Sequence, residues 1–282
     1  MQITKHVHMI RIPFTIPLGP GRQLDRFVWV YLVTGRRIWV IDAGVAGSWP
    51  RIEAYLQSLG QPANAIDRCL FTHAHPDHIG GAQTLHERTG CGFACHAEDR
   101  AWIEDVALQA CQRPVPGFGQ LVEGPVAVAE ELRDGQRLKL EAGQTLRVIH
   151  TPGHSRGHLA LVYEQDRVLF TGDCVLPLSS LPIYEDPRTL RKSIAKLQKI
   201  EGIDVLLSSL AEPIYGQQPI AEHLSQGADY VGIIDGLAKQ TLREEPELDP
   251  EALARRVIAR LGLPEVAVNS VTIRAINAHR AR

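Results

Sequence analysis

The stretch Phe71-Thr72-His73-Ala74-His75-Pro76-Asp77-His78-Ile79-Gly80-Gly81 decides how this chain is read. It crowds three imidazoles and a carboxylate into six residues, directly after a short apolar segment (68–72) that reads as a strand. Imidazole and carboxylate are ordinary ligands for zinc and iron. A strand end turns His73 and His75 to one side, and the turn that follows aims Asp77 and His78 at a neighbouring point. The pattern therefore suits two metals a few ångströms apart. With 12 His in 282 residues, chance places it in roughly one chain in a thousand of this composition. The competing reading is a polar turn whose histidines are satisfied internally.

Two later segments argue against that competing reading. Thr151-Pro152-Gly153-His154-Ser155-Arg156-Gly157-His158 sets a histidine in a tight turn after an apolar strand. Leu169-Phe170-Thr171-Gly172-Asp173 sets a carboxylate at another strand end. Strand-to-loop positions are where a rigid sheet can hold a metal site.

In this order and spacing, THAHPDHIGG, TPGHSRGH and LFTGD resemble the signature of the metallo-β-lactamase superfamily, and Val40-Ile41-Asp42-Ala43-Gly44 resembles its preceding Asp-Gly turn. The resemblance covers about residues 25–215. It implies an α/β (α+β) fold, a four-layer αββα sandwich with a dinuclear site at one edge of the two sheets. It also implies roles: His73, His75 and His154 on a first metal, Asp77 and His78 on a second, and Asp173 bridging both. A water or hydroxide held by the metals is then the nucleophile, and Asp77 is the catalytic residue that orients it and passes a proton on. Zinc is the expected metal, two per chain; the ligand set also suits iron or manganese.

The sequence departs from the family at the last ligand, a histidine in a Gly-His-Gly turn. Aligned on Glu212-Pro213-Ile214, that histidine falls on Leu210, so a weaker second site is expected. Glu212 and His223 are candidate substitutes. Asp42 and His158 read as buttresses of the metal loops, and His86 and His96 as peripheral histidines. Cys174 reads as pointing away from the site, Trp29 and Trp39 as core. Arg156 and Tyr184 are candidate substrate contacts.

Composition is close to that of average soluble proteins. The hydrophobic fraction is 44%, the charged fraction 22% and the net charge −2, without the basic footprint of a nucleic-acid binder. The N-terminal MQITKHVHMIRIPF has no apolar h-region, and no run is long enough to cross a membrane. A cytoplasmic location with reduced thiols follows as the expectation; Cys91 and Cys95 read as small hydrophobes in a strand. Strands are expected through residues 1–42 and at 68–72, 92–95, 136–140, 145–150, 158–163, 167–171 and 204–207. Helices are expected from Ser48 to Gly60, at 78–89, 98–110 and 187–200, and through most of 220–280. The Pro- and Gly-rich stretch 111–125 reads as a long lid or binding loop. The expected division is a metallo-β-lactamase-fold domain at 1–218 and a helical extension at 219–282, which packs on the core, covers the site or forms a homodimer contact.

Hydrolysis of an ester-like bond, a thioester or a lactone, in a small metabolite is the leading expectation. One alternative is a mononuclear iron enzyme that oxidises a persulfide, which the loss at Leu210 makes conceivable. The other is a non-catalytic protein that keeps the pocket for binding or regulation.

Overall fold

The computed structural model describes residues 1–17, 21, 23–141, 143–178 and 180–280. Its strands alternate faces, and that alternation builds the architecture. In the first sheet β1 (Val7–Pro17), β2 (Gln23–Thr34), β3 (Ile38–Ile41), β4 (Ile66–Leu70), β5 (Gly92–His96) and β6 (Val128–Leu132) lie in sequence order. The first three pair antiparallel and the rest parallel. The second sheet contains β7 (Arg137–Glu141), β8 (Gln144–His150), β9 (Leu159–Tyr163), β10 (Val168–Gly172), β11 (Val205–Ser208) and β12 (Ile214–Tyr215), again in order, with β10 and β11 paired parallel and the other neighbours antiparallel.

Along β2, Trp29, Tyr31 and Val33 face the second sheet, and Val28, Val30 and Leu32 face outward. Along β9, Leu159, Leu161 and Tyr163 face inward, while Ala160 and Val162 face outward. A period of two with both faces apolar means that each sheet is covered twice. The covering helices are α1 (Trp49–Ser58), α2 (Pro76–Ile79), α3 (Ala82–Thr89), α4 (Ala97–Glu104), α5 (Val106–Gln112) and α6 (Phe118–Leu121) on the first half. On the second half they are α7 (Pro187–Leu197), α8 (Gln217–Glu244), α9 (Pro250–Arg260) and α10 (Ser270–Asn277). The result is the αββα sandwich with a C-terminal helical extension. Trp29 and Trp39 lie in the core between the sheets.

Several local expectations differ from the structure. The helix expected at 78–89 breaks into α2 and α3 at Gly80-Gly81, two positions that must be glycine, since a side chain on Gly80 would collide with the Leu121 carbonyl and one on Gly81 would lie 2.7 Å from the Ala43 carbonyl. The helix expected at 98–110 breaks at Asp105, whose carboxylate caps α5 by accepting from the Leu108 amide. Ser48 does not cap α1: its hydroxyl donates to the Val45 carbonyl at 2.6 Å. Strand β6 was not expected; its two glutamates mask a short strand whose register comes from β5. The last two residues of the expected extension lie outside the described residues.

Candidate metal centre

The parallel strands β3 and β4, and β10 and β11, end at one edge of the sandwich, and the loops leaving those ends carry the chemistry. The Leu159 amide donates to the Thr72 carbonyl at 2.7 Å, so the two sheets are tied together there. His73 and His75 follow β4, His154 follows β8, and Asp173 follows β10. His154 donates through Nδ1 to the Ile183 carbonyl at 2.7 Å, leaving the lone pair on Nε2. That Nε2 lies 3.2 Å from His73 Nε2 and 2.8 Å from His75 Nδ1. The other His75 nitrogen, Nε2, is buried without a partner. Three ring nitrogens aimed at one point in a dry interior are poorly served by hydrogens, and one cation at their centre satisfies all three.

A second group of donors adjoins the first through His73. His78 and Asp173 complete it, and Asp77 stands beside His78. Asp42, held in the left-handed region at φ 62°, accepts from the Thr72 amide, the Thr72 hydroxyl and His78 Nδ1, each at 2.8 Å. This bond sets the His78 tautomer and aims Nε2 at the site, 3.7 Å from Asp173 and 3.8 Å from Asp77. His78 Nε2 and Asp173 Oδ1 have no hydrogen-bond partner among the described residues. Unpartnered buried donors and acceptors are rare, and the histidine and carboxylate atoms left open here are metal-ligand atoms. The residues fit one metal fully and a second in part.

For the three first-site histidines the electrostatics agree with that fit. Burial, reinforced by neighbouring imidazoles and, for His75, by Arg113, holds His73 and His75 well below the ordinary histidine value. Burial takes His154 down to about 4 against the pull of Asp173. These rings are neutral at pH 7, the form that ligates. Burial alone would depress His78 too, but Asp42, Asp77 and Asp173 override it and raise it well above the usual value. Burial raises Asp77, with Asp173 adding and His78 opposing. For Asp173, His78 and His154 outweigh burial and hold the carboxyl low.

Leu210 lines the cavity at the Asp173 side together with His75 and Asp77. Neither proposed substitute joins it: Glu212 is exposed, and His223 sits on α8, away from both donor groups. His158 accepts from the Asp173 amide at 3.1 Å and meets the Thr151 hydroxyl at 2.8 Å, so it steadies two site loops. His86 meets the Cys91 carbonyl, and His96 stacks on His150 at 4.0 Å. All five cysteines are free, and Cys174 is fully buried.

Both substrate contacts read from the sequence need correction. Arg156 is exposed and is not among the residues lining the cavity; its carbonyl accepts from His150. Tyr184 is buried under the C-terminal helices, its hydroxyl 2.8 Å from His279 Nε2. Three residues were missed. Asp99 is buried and accepts from the Ala74 amide, the Ser155 hydroxyl and the Gly157 amide at 2.9–3.0 Å, joining the loop of His73 and His75 to that of His154. Arg113 and Arg26 line the cavity beside Asp77. Asp99 looked like an ordinary acid in a helix first turn, and the arginines had no motif around them.

Residues 24–210, about two thirds of the chain, match the family model described as the metallo-beta-lactamase superfamily. A hydroxyacylglutathione hydrolase of Pseudomonas paraeruginosa is 28% identical over 176 residues, covering 61% of this chain and 57% of that protein. The lactamase-like protein adaB of Aspergillus niger is 31% identical over 181 residues, covering 64% of this chain and 48% of that protein. The chain thus spans about half the length of these curated relatives. A metallo-beta-lactamase family protein from Thermus thermophilus superimposes with a TM-score of 0.73 at 22% identity, over 97% of this chain and 92% of the other. A beta-lactamase domain protein from Burkholderia ambifaria gives 0.74 at 19% identity, over 98% and 88%. Motifs at the strand ends, two stacked sheets and the family match all lead to one assignment: the chain belongs to the metallo-beta-lactamase superfamily.

Proposed function

We propose that this chain is a metal-dependent hydrolase acting on an ester-like bond, a thioester or a lactone, of a small molecule. One observation carries the reading. Donor side chains from three loops converge at one sheet edge, Asp77 stands beside them, and two of the buried ligand-type atoms, His78 Nε2 and Asp173 Oδ1, have no hydrogen-bond partner among the described residues. His73, His75 and His154 would hold a first metal; Asp77, His78 and Asp173 would hold a second, weaker one. Bound metal supplies Lewis acidity and makes water acidic enough to ionise near neutral pH. Hydrolysis puts the water oxygen on the acyl carbon and a proton on the departing sulfur or oxygen. Asp77, raised by burial, suits that proton traffic. Asp42 and Asp99 keep the histidines in register while the proton moves. The similarity to a hydroxyacylglutathione hydrolase supports a thioester among these bonds.

The test is elemental analysis of purified protein, followed by assays on thioesters and lactones. His73→Ala and His154→Ala are expected to lose first-site metal and all turnover; unchanged metal and turnover in both would overturn the proposal. Leu210 favours a second reading, a single iron that oxidises a persulfide. One iron per chain with no hydrolysis would select it.

A further inference from the structure

We propose that the cavity beside the metal centre binds a carboxyl compound with an apolar hydrocarbon tail. Its carboxyl oxygens would meet Arg113, and its tail would lie against the C-terminal segment 263–271. The part of this that concerns the reacting bond rests on the hydrolase reading above; the ligand class rests on the cavity itself.

The cavity has a volume of about 360 Å³, the size of a small-ligand site. Three separate parts of the chain wall it. Phe14 and Ile16 come from β1, Val115 and Leu121 from the stretch 111–125 that includes α6, and Val266 and Val271 from the segment after α9 and the first turn of α10. The C-terminal segment is fastened to that loop: Ser270 donates to the Pro114 carbonyl at 3.1 Å and Arg274 to the Gln112 carbonyl at 2.8 Å. Val266, 36% exposed, stands at the wall as an uncovered large hydrophobe. Such a lining favours methylenes, each worth up to about fourfold in affinity when fully buried.

The charges place the other end of the ligand. Arg113 and Arg26 are the cations among the described lining residues. Arg113 is only 6% exposed, and among the described residues it makes no ion pair within bonding distance. Burial brings it down to about 10, and Asp77, Glu185 and Asp173 are the carboxylates that act on it from a distance. A buried guanidinium without a bonded anion is costly. Asp77 and Asp173 are engaged at the metal centre under the proposed function, and Glu185 forms no ion pair with Arg113 among the described residues, which leaves the guanidinium for the planar carboxyl group it suits. A multiply charged carrier such as a peptide thiol would find little besides Arg26, Ser180 and Asn269 along the rest of the wall.

The experiment is calorimetric titration of zinc-loaded protein with butyrate, hexanoate, octanoate and 1-octanol. Affinity is expected to rise from butyrate to octanoate by up to about fourfold per methylene. Arg113→Ala and Arg113→Met, the second keeping the bulk of the side chain, should weaken octanoate by about tenfold or more and leave 1-octanol unchanged. Val266→Glu should weaken octanoate and spare butyrate. Equal affinity for butyrate and octanoate, or unchanged octanoate binding in both folded Arg113 variants, would overturn the proposal. Octanoate binding without hydrolysis of octanoyl esters or thioesters would sink the hydrolase reading alone. Hydrolysis confined to short polar acyl groups, with no octanoate binding, would sink this inference alone.

Discussion

At the scale of single residues, the site is a set of donors aimed by residues that do not themselves ligate. Asp99 is the clearest case, since one carboxylate holds the loops of all three first-site histidines. Asp99→Ala should weaken first-site metal binding by about ten- to a hundredfold, as loss of a supporting partner commonly does. Competition against a chelator reads this directly, and unchanged affinity in a folded variant would remove Asp99 from the role. Leu210 tests the other side of the centre. Aligned on Glu212-Pro213-Ile214, it falls where the family carries a neutral ligand, and Asp173 and Asp77 line the same cavity. Leu210→His should raise affinity for a second metal by about tenfold or more while leaving the first unchanged. Equal second-site affinities in the two proteins would refute the alignment on Glu212-Pro213-Ile214.

At the scale of elements, the long hairpin of β1 and β2 is anchored from outside its own sheet. Asp166, in the turn between β9 and β10, accepts from the Thr4 hydroxyl, from the His6 amide at 2.8 Å and from the His6 ring at 2.8 Å. Burial would raise its carboxyl, but these hydrogen bonds outweigh burial and lower it. A carboxyl depressed in the folded state adds stability that is present above its unfolded value, near 4, and lost as pH falls through the folded one. Asp166→Asn should therefore cost about 1–2 kcal/mol at pH 7, and the difference should shrink below about pH 4. Urea unfolding of both proteins at pH 7 and pH 3 would show it; an equal difference at both would mean that the charge contributes nothing. The helix breaks belong to this scale as well. Periodicity alone runs α2 into α3, because the Leu121 carbonyl that forbids a side chain at Gly80 arrives from 41 residues away in sequence.

At the scale of the whole molecule, the helical extension and the second sheet share one core. Leu253, Val257 and Ile276 from the extension pack in the same cluster as Ile149, Val162 and Leu206 from the strands. Leu253 is fully buried, and truncating such a leucine costs about 2–5 kcal/mol. All four tryptophans, Trp29, Trp39, Trp49 and Trp102, lie in the first half of the chain. If the molecule unfolds as one unit, Leu253→Ala should lower the midpoint seen by tryptophan fluorescence as much as that seen by far-ultraviolet circular dichroism. A shift in the dichroism alone would mean that the extension unfolds separately. Among the described residues no helix is long and apolar enough to cross a membrane, in keeping with cores buried between layers.

The sequence by itself determined the two faces of the strands and the histidine and aspartate motifs, and the layered fold followed from the family those motifs resemble. Both are local: apolar alternation over a few residues sets a strand's two faces, and His73, His75, Asp77 and His78 are neighbours on one short loop. The departure proposed at Leu210 is a reading of the same local kind, one changed residue in a short turn. What surrounds the centre was not. Asp99 is 25 residues from Ala74 and 56 from Ser155, and no pattern along the chain marks such a meeting. Arg113 displaced Arg156 and Tyr184 as the residue facing the cavity because the path of the loop at 111–125 and the docking of 263–271 are set by packing against other elements. A side chain's direction in an irregular loop has no period to read, so only the folded chain decided which arginine faces the site and what walls enclose it.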